Sequence, residues 1–283
     1  MALLEVAGLG KTYVTKRSFF GRVTSRQVAV DGVSFSVEAG QTFALVGESG
    51  AGKSTTGRLI LRLIEPDTGT VVFDGTDVTT VPRSEFRRYR QRMQMIFQDA
   101  YGSLDPRITV HESVAEPLFI HFRMPRGQRL ERAADLLERV GLGTHLYDRY
   151  PGELSGGQLQ RIAIARALTL NPSLIVCDEP VAALDVSIRA QVLNLMKDLQ
   201  EQLGLTYLFI SHDLSLVEAI ADRIAVMRAG SIVEEGTVED IFSNPQHAYT
   251  KQLLAAIPNP VPRALRESVL GLPPSTGDQT HER

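Results

Sequence analysis

The chain has 283 residues, of which 43% are hydrophobic and 22% charged, a composition typical of folded globular proteins and not of disordered ones. Lys and Arg number 30 against 33 Asp and Glu, and the formal net charge of −3 argues against a dedicated nucleic-acid-binding protein. The single cysteine, Cys177, excludes an internal disulfide and a four-cysteine metal cluster, which fits a reducing compartment.

The sequence carries no segment that we expect to enter a membrane. No apolar run approaches the roughly 18 residues that span a bilayer. The first residues do not combine a basic region with a long apolar one, as a secretory signal does. We therefore expect a soluble chain that leaves any membrane crossing to another polypeptide.

Short strands are predicted in the N-terminal third. Apolar and polar residues alternate over residues 33–37, which is the period of a half-buried strand. Residues 70–73 also favour a strand, which the turn residues Asp74 and Gly75 close. Residues 42–46 form a compact apolar strand that runs directly into a glycine-rich loop.

Helices alternate with strands in the rest of the chain. Apolar spacing of three to four residues predicts helices over residues 130–140 and 188–203, each followed by a glycine. Further strands are predicted at residues 173–177, 205–210, 224–227 and 231–233, the last two as a hairpin. This alternation predicts a largely parallel sheet with helices on both faces and ligands at the carboxyl ends of its strands.

Residues 47–54 match the pattern G-x-x-x-x-G-K-[ST] in full. Glycines let backbone N–H groups surround phosphate oxygens, and the following helix adds its positive N-terminus. In this pattern Lys53 reaches the β- and γ-phosphates and Ser54 binds Mg²⁺. The alternative is a plain glycine turn, which the full motif in its strand–loop–helix context disfavours. The residues expected to contact the nucleotide here are Gly47, Glu48, Ser49, Gly50, Ala51, Gly52, Lys53, Ser54 and Thr55.

Two acidic residues, Asp178 and Glu179, follow the apolar strand of residues 174–177. An acidic residue at this place can hold Mg²⁺, and a second one can polarise an attacking water. Such a pair alone is usually a solvated turn or a helix entry. With a phosphate-binding loop upstream and a buried strand before it, the sequence favours the catalytic interpretation.

A second glycine-containing motif, which starts at Leu154, precedes a predicted helix over residues 159–168. Ser155 suits the N-cap of that helix, but two glycines in its first turn are costly for helix formation. They do suit a close approach of backbone N–H groups to an anion. The candidate anion-binding residues of this motif are Ser155, Gly156, Gly157 and Gln158.

Residues 47–54 form the motif known as the P-loop. The P-loop, the Leu-Ser-Gly-Gly-Gln motif and residues 175–179 follow one another along the chain in an order that resembles the nucleotide-binding subunit of an ABC transporter. The resemblance implies an α/β fold, with a P-loop NTPase core of mostly parallel sheet flanked by helices, an antiparallel β subdomain and an inserted helical subdomain. It implies an ABC ATPase domain over residues 1–256, with the helical subdomain at about residues 100–168. Residues 257–283 are then a proline-rich C-terminal tail, which we expect to be irregular.

The same resemblance gives roles to four further residues. Gln98 resembles the Q-loop glutamine that contacts Mg²⁺ and relays to the membrane domain, and His212 resembles the switch histidine that touches the γ-phosphate. Asp185 lies in a segment similar to the D-loop. Tyr13 resembles the aromatic residue that stacks on adenine, although a tyrosine at a strand end is also often a packing residue.

The mechanism that the resemblance implies pairs two such chains head to tail. Each ATP, with Mg²⁺ held by Ser54, Gln98 and Asp178, lies between the P-loop of one chain and the Ser-Gly-Gly backbone of the other. Glu179 polarises the attacking water, while His212 and Lys53 stabilise charge on the transferring phosphate. ATP closes the dimer and hydrolysis reopens it, which drives the membrane partner.

The implied partners are two membrane-spanning permease subunits, an extracytoplasmic solute-binding protein and a second ABC ATPase, either this chain or a related one. The implied location is the cytoplasmic face of the inner membrane, and no nucleic acid is expected. Residues 97–107 resemble a segment of peptide importers, and so do residues 244–250 with the following Leu253-Leu254 and residues 256–258. Dipeptides or oligopeptides are therefore the predicted solutes. Ala100 and Ala248 stand where that group often has proline, and glycosides or metal chelates remain open as alternatives.

Two other classes use the same motifs. ABC ATPases of DNA repair usually insert long coiled coils or zinc modules between P-loop and signature, whereas here that interval has neither sustained heptads nor cysteines. Exporters and translation-associated ABC proteins usually fuse a membrane domain or a second ATPase domain to the same chain. One P-loop and no spanning helix disfavour both.

Overall fold

The computed structural model describes residues 2–17 and 23–257, within which the chain forms two β-sheets flanked by helices. The predicted irregular tail lies outside the described residues from position 258 onward. The strands are β1 (Ala2–Arg17), β2 (Val23–Glu38), β3 (Thr42–Val46), β4 (Thr68–Phe73), β5 (Thr76–Asp77), β6 (Met93–Ile96), β7 (Leu174–Asp178), β8 (Thr206–Ser211), β9 (Arg223–Arg228) and β10 (Ser231–Thr237).

The first sheet is antiparallel, with strand order β2-β1-β4-β5. In β2, Val33, Phe35 and Val37 are buried, so the strand predicted over residues 33–37 is confirmed. The turn predicted after β4 is also present. Asp74 and Gly75 both have positive φ, 49° and 74°, as a two-residue hairpin turn of type I′ requires.

The second sheet has the order β10-β9-β3-β8-β7-β6 and is parallel except for the edge strand β10. Three of its strands, β3, β7 and β8, are buried along their whole length, as expected for parallel strands covered on both faces. The predicted parallel sheet and the predicted hairpin of β9 and β10 are therefore confirmed.

The carboxyl ends of β3, β7 and β8 lie side by side. Val46, at the end of β3, pairs with Ser211 of β8, and Asp178, at the end of β7, pairs with Ile210. The loops that leave these three strands consequently start from one edge of the sheet. This edge carries the P-loop and both predicted acidic residues.

Three of the helices, α3 (Val110–Phe122), α4 (Arg126–Arg139) and α5 (Gly156–Leu168), pack together. The helices predicted over residues 130–140 and 188–203 are present, and the second ends at Gly204 with φ 64°. The division into domains stays a prediction. The helices are α1 (Lys53–Ile60), α2 (Arg87–Arg92), α3 (Val110–Phe122), α4 (Arg126–Arg139), α5 (Gly156–Leu168), α6 (Val186–Leu203), α7 (Leu214–Ile220), α8 (Val238–Ser243) and α9 (Ala248–Ala255).

Strand β3 separates two hydrophobic cores. Phe43 and Leu45 face the antiparallel sheet, where Phe43 stacks on Phe35 with ring centroids 4.8 Å apart. Ala44 and Val46 face the core that contains α3, α4 and α5. The P-loop therefore starts from a strand that both cores hold in place. In the part of the chain that is described, no helix has the length and apolarity needed to cross a membrane.

Candidate functional site

The P-loop is enclosed so tightly that two of its positions admit only glycine. A Cβ on Gly47 would lie 2.2 Å from the carbonyl oxygen of Met227, and a Cβ on Gly52 would lie 2.2 Å from that of Ala29. Both glycines have positive φ, 152° and 104°, which side-chain-bearing residues rarely adopt. The loop conformation thus depends on neighbours in β9 and β2 as well as on its own sequence.

The side chain of Lys53 lies inside this loop. Its Nζ donates hydrogen bonds to the carbonyl oxygens of Gly47 at 2.7 Å and Glu48 at 2.9 Å, and the residue is only 4% exposed. Burial lowers the pKa of Lys53, although the nearby charges of Glu179 and Asp178 oppose that shift. A buried ammonium bound only to carbonyls is well suited to contact an anion.

Ser54 and Asp178 form the second element of the site. The Ser54 hydroxyl donates a 2.6 Å hydrogen bond to Oδ1 of Asp178, whose other oxygen lies 3.9 Å from the guanidinium of Arg58. Asp178 is 2% exposed, and burial raises its pKa even though this hydrogen bond and Arg58 act in the opposite direction. A hydroxyl and a carboxylate together are oxygen ligands of the kind that Mg²⁺ takes.

Glu179 lies between two polar side chains. Nδ1 of His212 is 3.0 Å from its Oε1, and Nε2 of Gln98 donates to its Oε2 at 3.2 Å. The backbone of Glu179 has φ 48°, an uncommon conformation for this residue, and its N–H donates to the carbonyl oxygen of Ile210 at 3.0 Å. The sheet edge therefore brings all three predicted residues together.

Lys53, Ser54, Gln98, Glu179 and His212 line one open cleft of about 630 Å³, and Asp178 is hydrogen-bonded to the lining residue Ser54. Residues 48–55 of the P-loop segment and Tyr13, which is 39% exposed, line the same cleft. Three further lining residues, which the sequence analysis missed, are Gln27 and Ala29 of β2 and Leu253 of α9. Leu253 belongs to the segment that resembles peptide importers, but nothing in the sequence places any of the three at the nucleotide; they reach the cleft through the tertiary fold.

The Leu-Ser-Gly-Gly-Gln motif and Asp185 lie elsewhere on the molecule. Ser155 caps α5, accepting from the Gln158 N–H at 3.3 Å, while its own N–H donates to the Gln158 side chain at 3.0 Å. Ser155, Gly156 and Asp185 are exposed. Of the residues described, those lining the nucleotide-sized cleft include none of residues 155–158 and not Asp185. Within one chain the structure does not bring these two groups of predicted residues together.

Two family models match the chain. Residues 30–182 match the model described as ABC transporter, and residues 233–280 match the model described as oligopeptide/dipeptide transporter, C-terminal region. Together they cover the P-loop, the glycine motif, the acidic pair and helices α8 and α9.

Named relatives and solved structures agree with these matches. A Brucella ovis protein named as a peptide import ATP-binding protein is 53% identical over 94% of this chain and 81% of its own length. The dipeptide transport ATP-binding protein DppF of Escherichia coli K12 is 50% identical over 94% and 80%. A dimeric ATP-binding cassette, solved in a post-hydrolysis state with ADP and phosphate, is 30% identical with a TM-score of 0.74 over 83% of this chain and 98% of that one.

Proposed function

This chain belongs to the ABC transporter family, and from that premise we propose that it is the ATP-hydrolysing subunit of a peptide importer. The observation that carries the proposal is the meeting of Lys53, Ser54, Glu179 and His212 at one cleft, with Asp178 hydrogen-bonded to Ser54. The family-model match of residues 233–280 and the names of the relatives support peptides as the solute.

ATP binds with its phosphates over the P-loop. Backbone N–H groups of the loop and the N-terminus of α1 receive the phosphate charge, and Lys53 exchanges its two carbonyl partners for phosphate oxygens. Tyr13 stacks on the adenine; its partial exposure and its place in the lining of the cleft support this role.

Ser54, Asp178 and Gln98 are the residues that would hold Mg²⁺. The fit rests on their chemistry, because a buried carboxylate hydrogen-bonded to a hydroxyl provides the hard oxygen ligands that this ion prefers. When bound, Mg²⁺ neutralises phosphate charge. Among the described residues no three His, Cys, Asp or Glu side chains form a metal cluster, so the protein would supply few of the ligands.

Glu179 positions and polarises the attacking water. Its carboxylate is held by His212 on one side and by Gln98 on the other, which leaves its orientation well defined at the edge of the cleft. His212 is half exposed, and its ring can turn towards the γ-phosphate when Glu179 binds water instead. Lys53 stabilises the charge that develops on the transferred phosphate.

A second ATPase chain completes the site. Ser155 and Gly156 are exposed at the start of α5, and Val186, beside Asp185, is 81% exposed although it is apolar. Exposed residues at a helix N-terminus and an exposed apolar side chain support contact with another molecule. The partner's P-loop would bring ATP to the Ser-Gly-Gly backbone, as two cassettes pair in the dimeric structure to which this chain is similar.

Permease subunits would bind beside α3. A groove of about 280 Å³ there is lined by Phe97 and Ile120, which are 39% and 52% exposed. Phe97 precedes Gln98 directly, so a loop seated in this groove would act on the residue that contacts Glu179. This continuity supports coupling of hydrolysis to two membrane-spanning subunits, at the cytoplasmic face of the membrane, that receive solute from an extracytoplasmic binding protein.

The proposal is tested in the native host. The tagged full chain is isolated in mild detergent and its stoichiometric partners are identified by mass spectrometry, while uptake of a labelled dipeptide is measured in a strain lacking the chain. We expect two multi-spanning proteins among the partners, and uptake restored by the wild type but not by Lys53→Ala. Recovery of soluble partners alone, or uptake that does not depend on the chain, would overturn the transport function.

A further inference from the structure

Helix α9, close to the end of the described chain, is tied to the edge strand of the parallel sheet. The carboxylate of Glu234 in β10 accepts hydrogen bonds from the N–H groups of Gln246 at 2.6 Å and His247 at 3.1 Å. His247 in turn caps α9, because its Nδ1 accepts from the N–H of Tyr249 at 3.1 Å. The start of this helix is therefore fixed relative to the sheet.

Tyr249 connects α9 to the P-loop. Its ring is buried and lies under the guanidinium of Arg228, 4.9 Å from the ring centroid, and its hydroxyl accepts a 3.2 Å hydrogen bond from the N–H of Glu48. That N–H belongs to the same peptide unit as the carbonyl of Gly47, which binds Nζ of Lys53 at 2.7 Å. One peptide unit is thus held by Tyr249 on one side and by Lys53 on the other.

Leu253 stands one helical turn after Tyr249 and so on the same face of α9. It lines the same cleft as Tyr13 and Ala29, where its half-buried side chain adds apolar surface. Leu254, the next residue, is equally half-buried and packs on the core without lining the cleft. Both leucines therefore pack on the core, and of the two only Leu253 also lines the cleft.

We propose that α9 is part of the nucleotide site: Leu253 contacts the purine base, and Tyr249 is a positioning residue that fixes the P-loop peptide binding Lys53. The proposal rests on ATP being the ligand of the cleft. The two residues act on different parts of that ligand. Leu253 adds affinity only for a ligand with a base, whereas Tyr249 adds affinity for the phosphates with or without a nucleoside.

Two probes separate these roles, MgATP and magnesium tripolyphosphate, whose affinities for the purified full chain are measured by calorimetry. Leu253→Ala should weaken ATP binding roughly tenfold, which is the loss expected for about two methylene contacts. The affinity for tripolyphosphate should not change. Leu253→Met should restore most of the affinity. Leu254→Ala, a matched truncation on the same helix, should leave the affinities for both ligands unchanged.

Tyr249→Phe keeps the ring and removes the hydroxyl, leaving the Glu48 N–H without its partner. The variant should weaken the binding of ATP and of tripolyphosphate by the same factor, roughly three- to tenfold. It should also raise KM for ATP without changing kcat, a split that general loss of structure would not produce.

The failures can be told apart. If Leu253→Ala lost equal affinity for ATP and tripolyphosphate, or lost no affinity for either, the base contact would be overturned. A loss in Tyr249→Phe confined to ATP, or a change in kcat alone, would overturn the positioning role. A wild type that fails to bind ATP would overturn the proposed function itself.

Discussion

Nδ1 of His212 lies 3.0 Å from one carboxylate oxygen of Glu179, and the Gln98 amide donates to the other oxygen at 3.2 Å. The three residues follow β8, β7 and β6, which are neighbours in the sheet. The Glu179 side chain is 15% exposed and the His212 ring 54%. The carboxylate is therefore held from two sides by groups that face the cleft, which fixes its orientation there.

Glu179→Gln should retain ATP binding and lose hydrolysis. The amide keeps the size and much of the hydrogen bonding of the carboxylate but cannot accept a proton, so turnover should fall by about 100-fold or more. ATP then persists, and the ATP-bound dimer should accumulate. Phosphate release and size-exclusion chromatography with MgATP measure both effects.

Glu201→Gln is the matched control for this variant, because Glu201 is exposed on α6 and lines no part of the cleft. It should behave as the wild type in both measurements. Turnover at the wild-type rate in Glu179→Gln would remove Glu179 from the catalytic role.

Asp178→Asn should stabilise the nucleotide-free protein while impairing its function. Burial raises the pKa of Asp178, so the folded state bears a cost for keeping this carboxylate ionised at neutral pH. Asparagine keeps the hydrogen bond from Ser54 without that cost. A gain of about 1 kcal/mol would raise the melting temperature by roughly 2–3 °C, whereas the effect of Mg²⁺ on ATP hydrolysis should be largely lost.

The difference in stability between the wild type and Asp178→Asn should depend on pH with a definite sign. Because the pKa of Asp178 is higher in the folded than in the unfolded chain, the folded state binds the proton more tightly. The wild type should lose stability relative to Asp178→Asn as pH rises through the raised pKa. Below the ordinary value of 3.8 both states are protonated, and the melting temperatures should converge. A constant difference across this range would contradict the assigned cause.

Local motifs predicted most of the fold and the centre of the site. The strand over residues 42–46 and the helix ending at Gly204 follow from apolar period and glycine placement, which are local properties. The P-loop and the acidic pair are likewise recognisable from short runs of adjacent residues, and the parallel sheet brings both to one edge. For these elements the sequence signal and the tertiary fold agree.

The parts that could not be predicted depend on contacts between distant segments. Tyr249 and Glu48 are 201 positions apart, and nothing in either neighbourhood indicates their hydrogen bond. Leu253 has the appearance of an ordinary core leucine in the sequence, and only the position of α9 places it in the cleft. The domain boundaries and the roles of the individual site residues stay predictions.

Ser155→Arg should prevent closure of the dimer without affecting ATP binding by one chain. Ser155 is exposed at the start of α5 and does not line the cleft, so the substitution leaves the P-loop untouched. Loss of the cap costs about 1 kcal/mol of stability, which the protein should tolerate. In a Glu179→Gln background, size-exclusion chromatography with MgATP should show a monomer in place of the dimer. A dimer at the same ATP concentration would contradict the shared site.

Arg189 holds the loop that carries Asp185 in its observed shape. Its Nε donates to the carbonyl oxygen of Leu184 at 2.7 Å, and another guanidinium nitrogen donates to that of Ala182 at 3.2 Å. Arg189→Met keeps the aliphatic part of the side chain and removes both donors, so this loop should lose its fixed conformation. Since Ala182, Leu184 and Asp185 do not line the cleft, the affinity of the single chain for ATP should stay as in the wild type.

The expected result for Arg189→Met is a several-fold weaker ATP-driven dimerisation, since each lost hydrogen bond contributes about 1 kcal/mol. Analytical ultracentrifugation in the Glu179→Gln background measures the dimer dissociation constant. Lys197→Met, on the same helix, removes a positive charge without touching the loop and should leave that constant unchanged. If both variants weakened the dimer equally, charge would be the cause and the two hydrogen bonds of Arg189 would not explain the loop's role. Weakening confined to Arg189→Met would show that the conformation before α6, and not only the presence of Asp185, is required for two chains to pair.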